Sequence, residues 1–292
     1  TNIRIYKKEE CLMIELIGRK KENGLLKVFF KLYDLLFLML GAYPIRCSLS
    51  YNEKEIDTSK WVIRYTTANH FIEQEAAFCD ITAENINSKS LIDIDNIHKQ
   101  SIASISYIIS EYYEHVVTNH KIELITHTID GIFMHSIYYK ELLDVKRIQN
   151  SKCSDSTYYE NVERVFRTFF YYHRKYNCQI LEELGTTKKK FYKTISDTRN
   201  DFSHLLGKKK NRLISGKDMV YYIDLIFIAE RLFVLDEMLK LKLNERMIQE
   251  YMYIMHDWID ELVNKRADRI KSKRYTNIQK VNLIEKKLGL TE

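Results

Sequence analysis

Residues 186–207 read TTKKKFYKTISDTRNDFSHLLG, and this stretch predicts the helix on which the interpretation of the whole chain depends. Thr186 or Thr187 suits the N-cap of a helix, and Gly207 suits the left-handed residue just past its end. We therefore expect a helix from about Thr187 to Leu206. Its buried stripe is predicted from side chains that recur at helical spacing: Phe191, Ile195, Thr198, Phe202 and Leu206.

Polar side chains occupy the rest of this helix. At about 100° per residue, Asp197, Asn200 and His204 fall far from the buried stripe, and Arg199 lies at its edge. Core packing does not explain an imidazole on the polar face, one turn from an amide and near a guanidinium. Arg199, Asn200 and His204 are therefore candidate functional residues.

Composition favours long helices over a turn-rich β architecture. The 292 residues suffice for one large or two ordinary domains, and the apolar fraction of 45% allows a sizeable core. One Pro and 8 Gly leave few turn signals. The five cysteines are scattered and form no Cys-x-x-Cys pair, as expected of thiols in a reducing cytoplasm. The sequence shows no signal peptide, and it begins without Met, which leaves room for an upstream region.

Positive charge is clustered around the candidate residues. The net charge of +6 is mild and does not by itself establish a nucleic-acid partner. Two basic runs bracket the candidates: Lys188, Lys189 and Lys190 on one side, and Lys208, Lys209, Lys210 and Arg212 on the other. A solvated surface explains most such runs. Two runs flanking one motif nevertheless favour a phosphate-bearing ligand.

The chain is expected to divide into residues 1–87, a small region of mixed strands and helix, and residues 88–292, a helical domain. From about residue 92 onward, the long segments have helical patterns. Besides the motif helix, the predicted helices span residues 93–115, 119–148, 158–184, 218–243 and 245–263. The fold class is therefore predicted to be mainly α, a helical bundle preceded by a small mixed α/β region.

The N-terminal region begins with alternating apolar residues. They predict extended chain over residues 3–16, which Asn23-Gly24 is expected to close. A strongly apolar helix follows at residues 25–43, and Gly41 and Pro44 are expected to end it. Three charges inside this helix argue against a membrane span: Lys27, Lys31 and Asp34. Two short strand candidates come next, at residues 45–51 and 60–65.

Several kinds of chemistry have no support in the sequence. It contains no Gly-rich phosphate loop, no dinucleotide-binding glycine pattern and no Gly-x-Ser-x-Gly elbow. Hydride transfer, ATP hydrolysis and esterase chemistry are therefore not expected. Two sets of residues offer possible metal ligands: Glu123, His127 and His135, and His256 with Asp260. Because a metal site needs three or four shaped ligands, we expect surface or interface histidines here, with no metal and no cofactor.

Metal-free cleavage of RNA, in contrast, needs few groups. The 2′-hydroxyl is the nucleophile, so the protein must supply a base, an acid and a fixed cation for the phosphorane. His204 suits the acid–base role near neutral pH, and Arg199 suits the charge. Asn200 is placed to orient the imidazole one turn away. The motif supplies one histidine per chain, whereas the reaction needs both an acid and a base. We therefore expect a symmetric dimer in which two motif helices meet.

The arrangement of Arg199, Asn200 and His204, followed by a basic loop and a long apolar helix, resembles the HEPN superfamily. Residues 195–200 (ISDTRN) and 202–204 (FSH) are similar to its Apea-like group, found in bacterial defence proteins. The resemblance implies an α-helical bundle, commonly dimeric, with metal-independent ribonuclease activity in anti-phage defence. It assigns Arg199 and His204 to the catalytic pair and Asn200 to the frequent polar third position.

The expected function is thus a metal-independent endoribonuclease with a composite dimer site, acting in the cytoplasm in abortive infection. Its partner would be RNA, with the lysine runs and Arg212 binding flanking phosphates. Two alternatives stay open: a catalytically inactive RNA- or nucleotide-binding module, and a helical bundle that serves assembly only. A purely structural reading of the motif is also open, in which Arg199 and His204 merely pair with carboxylates such as Asp197 or Asp201.

Overall fold

The computed structural model describes residues 2–8, 11–17, 22–41, 50–52, 54–55, 77–94, 118–133, 158–175, 180–204, 214 and 218–253. In this part of the chain a two-stranded hairpin and an apolar helix precede a helical bundle. The architecture is mainly helical with a small strand-containing region at the start. The predicted fold class is therefore confirmed.

The N-terminal hairpin pairs strand β1 (Asn2–Lys8) with strand β2 (Cys11–Ile17) in antiparallel register, from Asn2 opposite Ile17 to Lys8 opposite Cys11. The predicted extended chain is thus confirmed. Helix α1 then spans Glu22–Leu40. The expectation that Asn23-Gly24 closes the extended segment was wrong, because both residues lie in the first turn of α1, where a helix still tolerates Gly.

A second, very short hairpin pairs β3 (Ser50–Tyr51) with β4 (Lys54–Glu55). Asn52 lies in its turn with φ of 47°, a left-handed conformation that Asn adopts more readily than most residues. Only the end of the predicted strand at 45–51 falls within the described residues. The candidate at 60–65 lies outside them.

Helix α1 is a core helix. Its residues 32–39 are all buried, including the charged Asp34. A helical segment that is buried around its whole circumference needs apolar residues on every face, and this explains the apolar pattern of residues 32–39. Among the described helices, none combines the length and the hydropathy that crossing a bilayer would require.

The bundle itself consists of helices α2 (Ser88–Asp93), α3 (Thr118–Phe133), α4 (Tyr158–Lys175), α5 (Ile180–Glu183), α6 (Lys188–His204) and α7 (Asp218–Leu232), with a further helix, α8, at residues 245–253. A π-helical segment, Phe233–Met238, continues α7. Helices α3 and α4 each pack against both α6 and α7. Their buried faces, such as Ile122, Ile125, Val165 and Phe166, form one core with residues of α1.

The predicted helices are found in the described residues with one exception: the helix predicted at 218–243 ends at Met238. Lys240 has a left-handed φ of 52°, and Leu243 pairs with Cys79 in an isolated β-bridge. The prediction at 119–148 is confirmed up to Phe133, and that at 245–263 up to residue 253. The helix predicted at 158–184 is found as α4 and α5, with residues 176–179 outside the description. Most of the predicted helix at 93–115 also lies outside it.

The motif helix begins as its sequence predicts. Thr187 is the N-cap: its Oγ1 accepts a hydrogen bond of 3.4 Å from the Lys190 amide, and its carbonyl accepts one of 2.8 Å from the Phe191 amide. The predicted stripe is buried at Phe191, Ile195 and Thr198 and partly buried at Phe202. Leu206 and Gly207 lie outside the described residues.

One buried cation joins helix α1 to the bundle. The guanidinium of Arg231, which is fully buried in α7, donates from Nε to Leu38 O at 2.8 Å and from Nη2 to Met39 O at 3.0 Å. These carbonyls belong to the last turn of α1, which has no intrahelical donors for them. Burial lowers the pKa of Arg231 to about 10, so it stays charged at neutral pH.

The boundary predicted between residues 87 and 88 stays a prediction. The described residues make hydrogen bonds across it, such as that from the Asn244 amide to Phe78 O at 2.8 Å. Arg231 also stacks on the Phe78 ring, with 4.0 Å between the guanidinium carbon and the ring centre.

Substitution of Gly41 tests the Arg231 contact. Gly41 follows α1 with φ of 83°, and a Cβ there would lie 2.7 Å from Arg231 Nη1. Gly185 has a similar φ of 60° but no atom within 4 Å of such a Cβ. We expect Gly185→Ala to lower the free energy of unfolding by about 1–2 kcal/mol from backbone strain alone. Gly41→Ala should lower it clearly more, and urea denaturation measures both losses. Equal losses in the two variants would contradict a tight Arg231 contact.

Candidate functional site

Two polar contacts join helices α3 and α6 at the level of the motif. Arg199 of α6 contacts Asp130 of α3, and Ser203, one turn further along α6, contacts His127, which lies one turn earlier on α3. Because the residue numbers run in opposite directions, the two helices are antiparallel here. Residues three and four apart share a helix face, so both contacts lie in one interhelical seam.

Arg199 is held by its neighbours in a fixed position. Its Nη2 donates to Asp130 Oδ2 at 3.0 Å, and its Nη1 donates to Asn200 Oδ1 at 3.2 Å. The guanidinium lies over the ring of Tyr158, with the Cζ atom 5.1 Å from the ring centre. The side chain remains 23% exposed, so it is fixed without being sealed off from solvent.

Asp130 is anchored as firmly as its partner. Its Oδ1 accepts a 3.2 Å hydrogen bond from the Asn161 side-chain amide. Tyr158 covers the pair and donates its hydroxyl proton to Thr126 O at 2.6 Å. Burial, followed by the negative charge of Asp130, raises the pKa of Tyr158 well above its ordinary value. The phenol is therefore neutral and serves as a donor.

Contacts at both ring nitrogens define the tautomer of the neutral His127 imidazole. His127 Nδ1 lies 2.8 Å from Glu123 O, and Nε2 lies 2.9 Å from Ser203 Oγ. A carbonyl oxygen only accepts, so Nδ1 must carry the proton. In the neutral ring, Nε2 then has a lone pair, which accepts the proton of the Ser203 hydroxyl. A hydroxyl bonded to an imidazole whose second nitrogen is also fixed is an arrangement suited to proton transfer.

The structure places the predicted residues as follows. Asn200 contacts Arg199, and its predicted role in orienting His204 stays a prediction. His204 is the last described residue of α6, and only its helical backbone is described. Lys188, Lys189 and Lys190 are exposed in the first turn of α6. The second basic run lies outside the described residues: Lys208, Lys209, Lys210 and Arg212.

The expected local carboxylate partners of Arg199 are not the ones found. Asp197 forms an ion pair with Lys193, at 3.6 Å within the same helix. Arg199 instead reaches across to Asp130, 69 positions earlier in the chain. One oxygen of Asp201 is buried without a hydrogen-bond partner among the described residues. The guanidinium therefore forms an ion pair between two helices and not within one.

Sequence reasoning missed Asp130, Asn161, Tyr158 and Ser203 as members of the site. His127 was considered only as a possible metal ligand. A usable signal existed in residues 122–132, where His127 and Asp130 lie three apart beside the apolar series Ile122, Ile125, Ile129 and Ile132. That spacing places both polar side chains on one flank of the helix, but not opposite any particular partner.

Beneath the site, a carboxyl group is buried in the core. Thr128 Oγ1 lies 2.6 Å from Ile125 O and 2.5 Å from Glu230 Oε1. A hydroxyl has one proton, and Ile125 O can only accept it. A proton on Glu230 supplies the second hydrogen bond, so the geometry fits a neutral carboxyl. Burial raises the pKa of Glu230 well above its ordinary value, which agrees with this geometry.

Comparison of the chain with protein-family models, curated proteins and solved structures gives no match. In the part of the chain that the structure describes, no group of three or more His, Cys, Asp or Glu side chains is close enough to hold a metal ion. His135, His256 and Asp260 lie outside that part. The absence of a metal or cofactor stays a prediction.

Replacement of Glu230 by Gln should alter how stability depends on pH. The raised pKa means that folded protein keeps a proton that the unfolded chain loses above the ordinary value of 4.5. Wild-type stability is therefore greatest below that pH and falls as the pH rises towards the folded-state pKa. Gln cannot ionise, and its amide can still donate to Thr128. In urea denaturation, the free energy of unfolding of the variant relative to wild type should rise by up to about 1.4 kcal/mol per pH unit in this window. If that difference between variant and wild type is the same at pH 5 and pH 8, the prediction is contradicted.

Proposed function

We propose that the protein is a metal-independent endoribonuclease that cleaves RNA by attack of the 2′-hydroxyl. The observation that carries this proposal is Arg199: a partly exposed guanidinium, fixed by Asp130, Asn200 and Tyr158, on the helix turn that leads to His204. The motif's resemblance to HEPN ribonucleases supports the same reaction. A role in bacterial anti-phage defence rests on that resemblance alone and is part of the proposal.

Arg199 retains capacity to bind a phosphate despite its ion pair. A guanidinium has five N–H donors. Among the described residues, Nη2 and Nη1 each use one of theirs, and Nε is buried without a partner. A bound phosphate can accept from the second N–H of Nη1 and of Nη2, whereas the buried Nε is out of its reach. The orientation of the guanidinium is already set, so no reorganisation is needed when charge develops in the transition state.

An exposed basic and aromatic surface lies on α4 beside α6. Arg167, Tyr171 and Arg174 are all exposed and lie on one face of α4 by helical spacing. Tyr171 is 60% exposed, which is unusual for so large an apolar ring. Lys188 Nζ lies 5.3 Å from the centre of the adjoining Phe170 ring, and so brings the first basic run to this face. Exposed rings among cations are typical of surfaces that bind single-stranded nucleic acid.

This surface and the candidate site lie at opposite ends of α6. Lys188 and Arg199 are 11 positions apart, which is about 16 Å along a helix. One phosphate therefore cannot contact both. We infer that the basic run and Tyr171 bind nucleotides several positions away from the scissile phosphate. This matches the flanking role predicted for the lysines.

A homodimer remains part of the proposal. Two motif helices that meet across a two-fold axis would place two Arg199 and two His204 residues in one cleft. Mixing an inactive Arg199→Ala chain with an inactive His204→Ala chain tests this. In a composite site each chain supplies what the other lacks, so mixed dimers should regain part of the activity, whereas independent sites would stay inactive.

Purified protein should cleave single-stranded RNA in EDTA and leave a 2′,3′-cyclic phosphate and a 5′-hydroxyl. His204→Ala should lower the single-turnover rate by roughly 10²- to 10⁴-fold, and Arg199→Ala by roughly 10²- to 10³-fold. Arg199→Lys keeps a charge but loses the planar fork, so only part of the activity should remain. Product ends can be identified by mass spectrometry.

Arg246→Gln is the matched control for loss of one positive charge, because Arg246 is exposed and pairs with Glu250 on α8, a helix that supplies no residue of the site. It should cleave as wild type does. A substrate with a 2′-O-methyl group at the cleavage position has no nucleophile and should resist. The proposal fails if that substrate is cut, or if His204→Ala and Arg199→Ala cut RNA at the wild-type rate.

A second candidate function is RNA binding without catalysis. Its support is the ion pair between Arg199 and Asp130, since a guanidinium already neutralised in a seam also suits a structural role. Binding without any cleavage product on single-stranded, hairpin and transfer RNA would favour this candidate over the ribonuclease.

The basic and aromatic surface makes separable contributions to RNA affinity. On a fully 2′-O-methylated oligonucleotide, which cannot be cleaved, Tyr171→Ala should weaken binding by about 1–3 kcal/mol through lost stacking. Arg174→Gln should reduce the slope of log affinity against log salt by about 0.7, because one phosphate contact is lost. Fluorescence anisotropy over a salt series measures both quantities. Arg246→Gln should change neither, and equal effects in all three variants would refute a specific surface.

A further inference from the structure

A second imidazole lies in the same seam as Arg199, and no sequence motif drew attention to its role. His127 Nε2 is 2.9 Å from the hydroxyl of Ser203, the residue that directly precedes His204. Its contact lies one turn from that of Arg199 on both helices. An imidazole, a guanidinium and the motif histidine therefore come from adjoining turns of α3 and α6.

The orientation of the His127 ring is set from within its own helix. Nδ1–H donates to Glu123 O, which fixes both the tautomer and the direction of Nε2 towards α6. Ser203 occupies the Nε2 lone pair in this structure. A serine in a helix can also donate to the carbonyl four residues earlier, here that of residue 199. Rotation of the Ser203 side chain about χ1 would move Oγ away from Nε2 and expose the lone pair without moving the helix.

We propose that His127 is the general base of the cleavage reaction, so this inference rests on the proposed function. Nε2 removes the proton from the 2′-hydroxyl as its oxygen forms a bond to phosphorus. The bond from phosphorus to the 5′-oxygen breaks, and the leaving oxygen receives a proton from the His204 imidazolium. The products are a 2′,3′-cyclic phosphate and a 5′-hydroxyl, and the two histidines end with exchanged protonation states.

The charges around His127 suit this role. Asp130 lies one turn further along α3, and its carboxylate is paired with Arg199 at 3.0 Å. The other titratable residues on the elements that pack here are Glu123 on α3, Asp201 and His204 on α6, Tyr158 on α4 and Glu230 on α7. Both Tyr158 and Glu230 have raised pKa values because they are buried, so they remain neutral.

Each chain then contains both an acid and a base. The expectation of a dimer came from the presence of a single histidine in the motif. With His127 as the base, a second copy of the chain is not needed to supply the base, and dimerisation would serve to bind the RNA or to complete the composite cleft that the mixing experiment tests.

The test compares His127→Ala and His127→Gln with wild type in single-turnover cleavage of a single-stranded RNA oligonucleotide from pH 5 to 9. Both variants should lose roughly 10²- to 10⁴-fold in rate and lose the rise in rate on the acidic limb. The Gln side chain can still accept from Ser203, so it restores a purely structural hydrogen bond but not a base. Added imidazole should recover part of the activity of the Ala variant, because it fits the vacated space. Arg246→Gln should follow the wild-type profile.

Several outcomes would overturn the assignment of His127. One is a wild-type rate and pH profile in His127→Ala. Another is full activity in His127→Gln, which would show a structural hydrogen bond. Failure of imidazole to restore any activity to a folded Ala variant would also count against it. If wild-type protein cleaves no RNA, the proposed function fails instead, and the two failures are thereby distinguished.

Discussion

The fold depends on a cation in its core. Arg231 is fully buried and donates hydrogen bonds to the last turn of α1, whose carbonyls have no other donors within the helix. Hydrogen bonds to a charged group contribute about 1.5–3 kcal/mol each, and loss of one partner would leave a buried charge unpaired. These hydrogen bonds therefore fix α1 in position against the bundle. Gly41 has no Cβ and so leaves the space that the Arg231 guanidinium occupies.

The seam between α3 and α6 is polar where most helix contacts in this bundle are apolar. Desolvation of Arg199, Asp130 and His127 is costly, and well-packed hydrophobic side chains would often be at least as stable. Polar contacts instead fix the orientation of side-chain groups, because each hydrogen bond sets the direction of a particular donor or acceptor. An immobilised guanidinium and an imidazole of defined tautomer suit a site for proton transfer and phosphate charge, and they have little value as general packing.

Much of the architecture could be predicted because it depends on local patterns. The stripe of Phe191, Ile195 and Thr198, the N-cap at Thr187 and the end of α1 at Gly41 follow from helical periodicity and capping chemistry, which act within a few residues. Asn23-Gly24 was misjudged because the same residues that favour turns are also tolerated in the first turn of a helix.

The sequence by itself determined which faces of the helices are apolar and that Arg199 and His204 share a helix with a polar face. It did not determine the partners of that face. Asp130 lies 69 positions from Arg199, and His127 lies 76 positions from Ser203. Only tertiary packing brings such residues together, because the axial shift of one helix against another depends on how all their side chains interlock. A shift of one turn, about 5.4 Å, would leave the same sequence pattern intact and separate every one of these pairs.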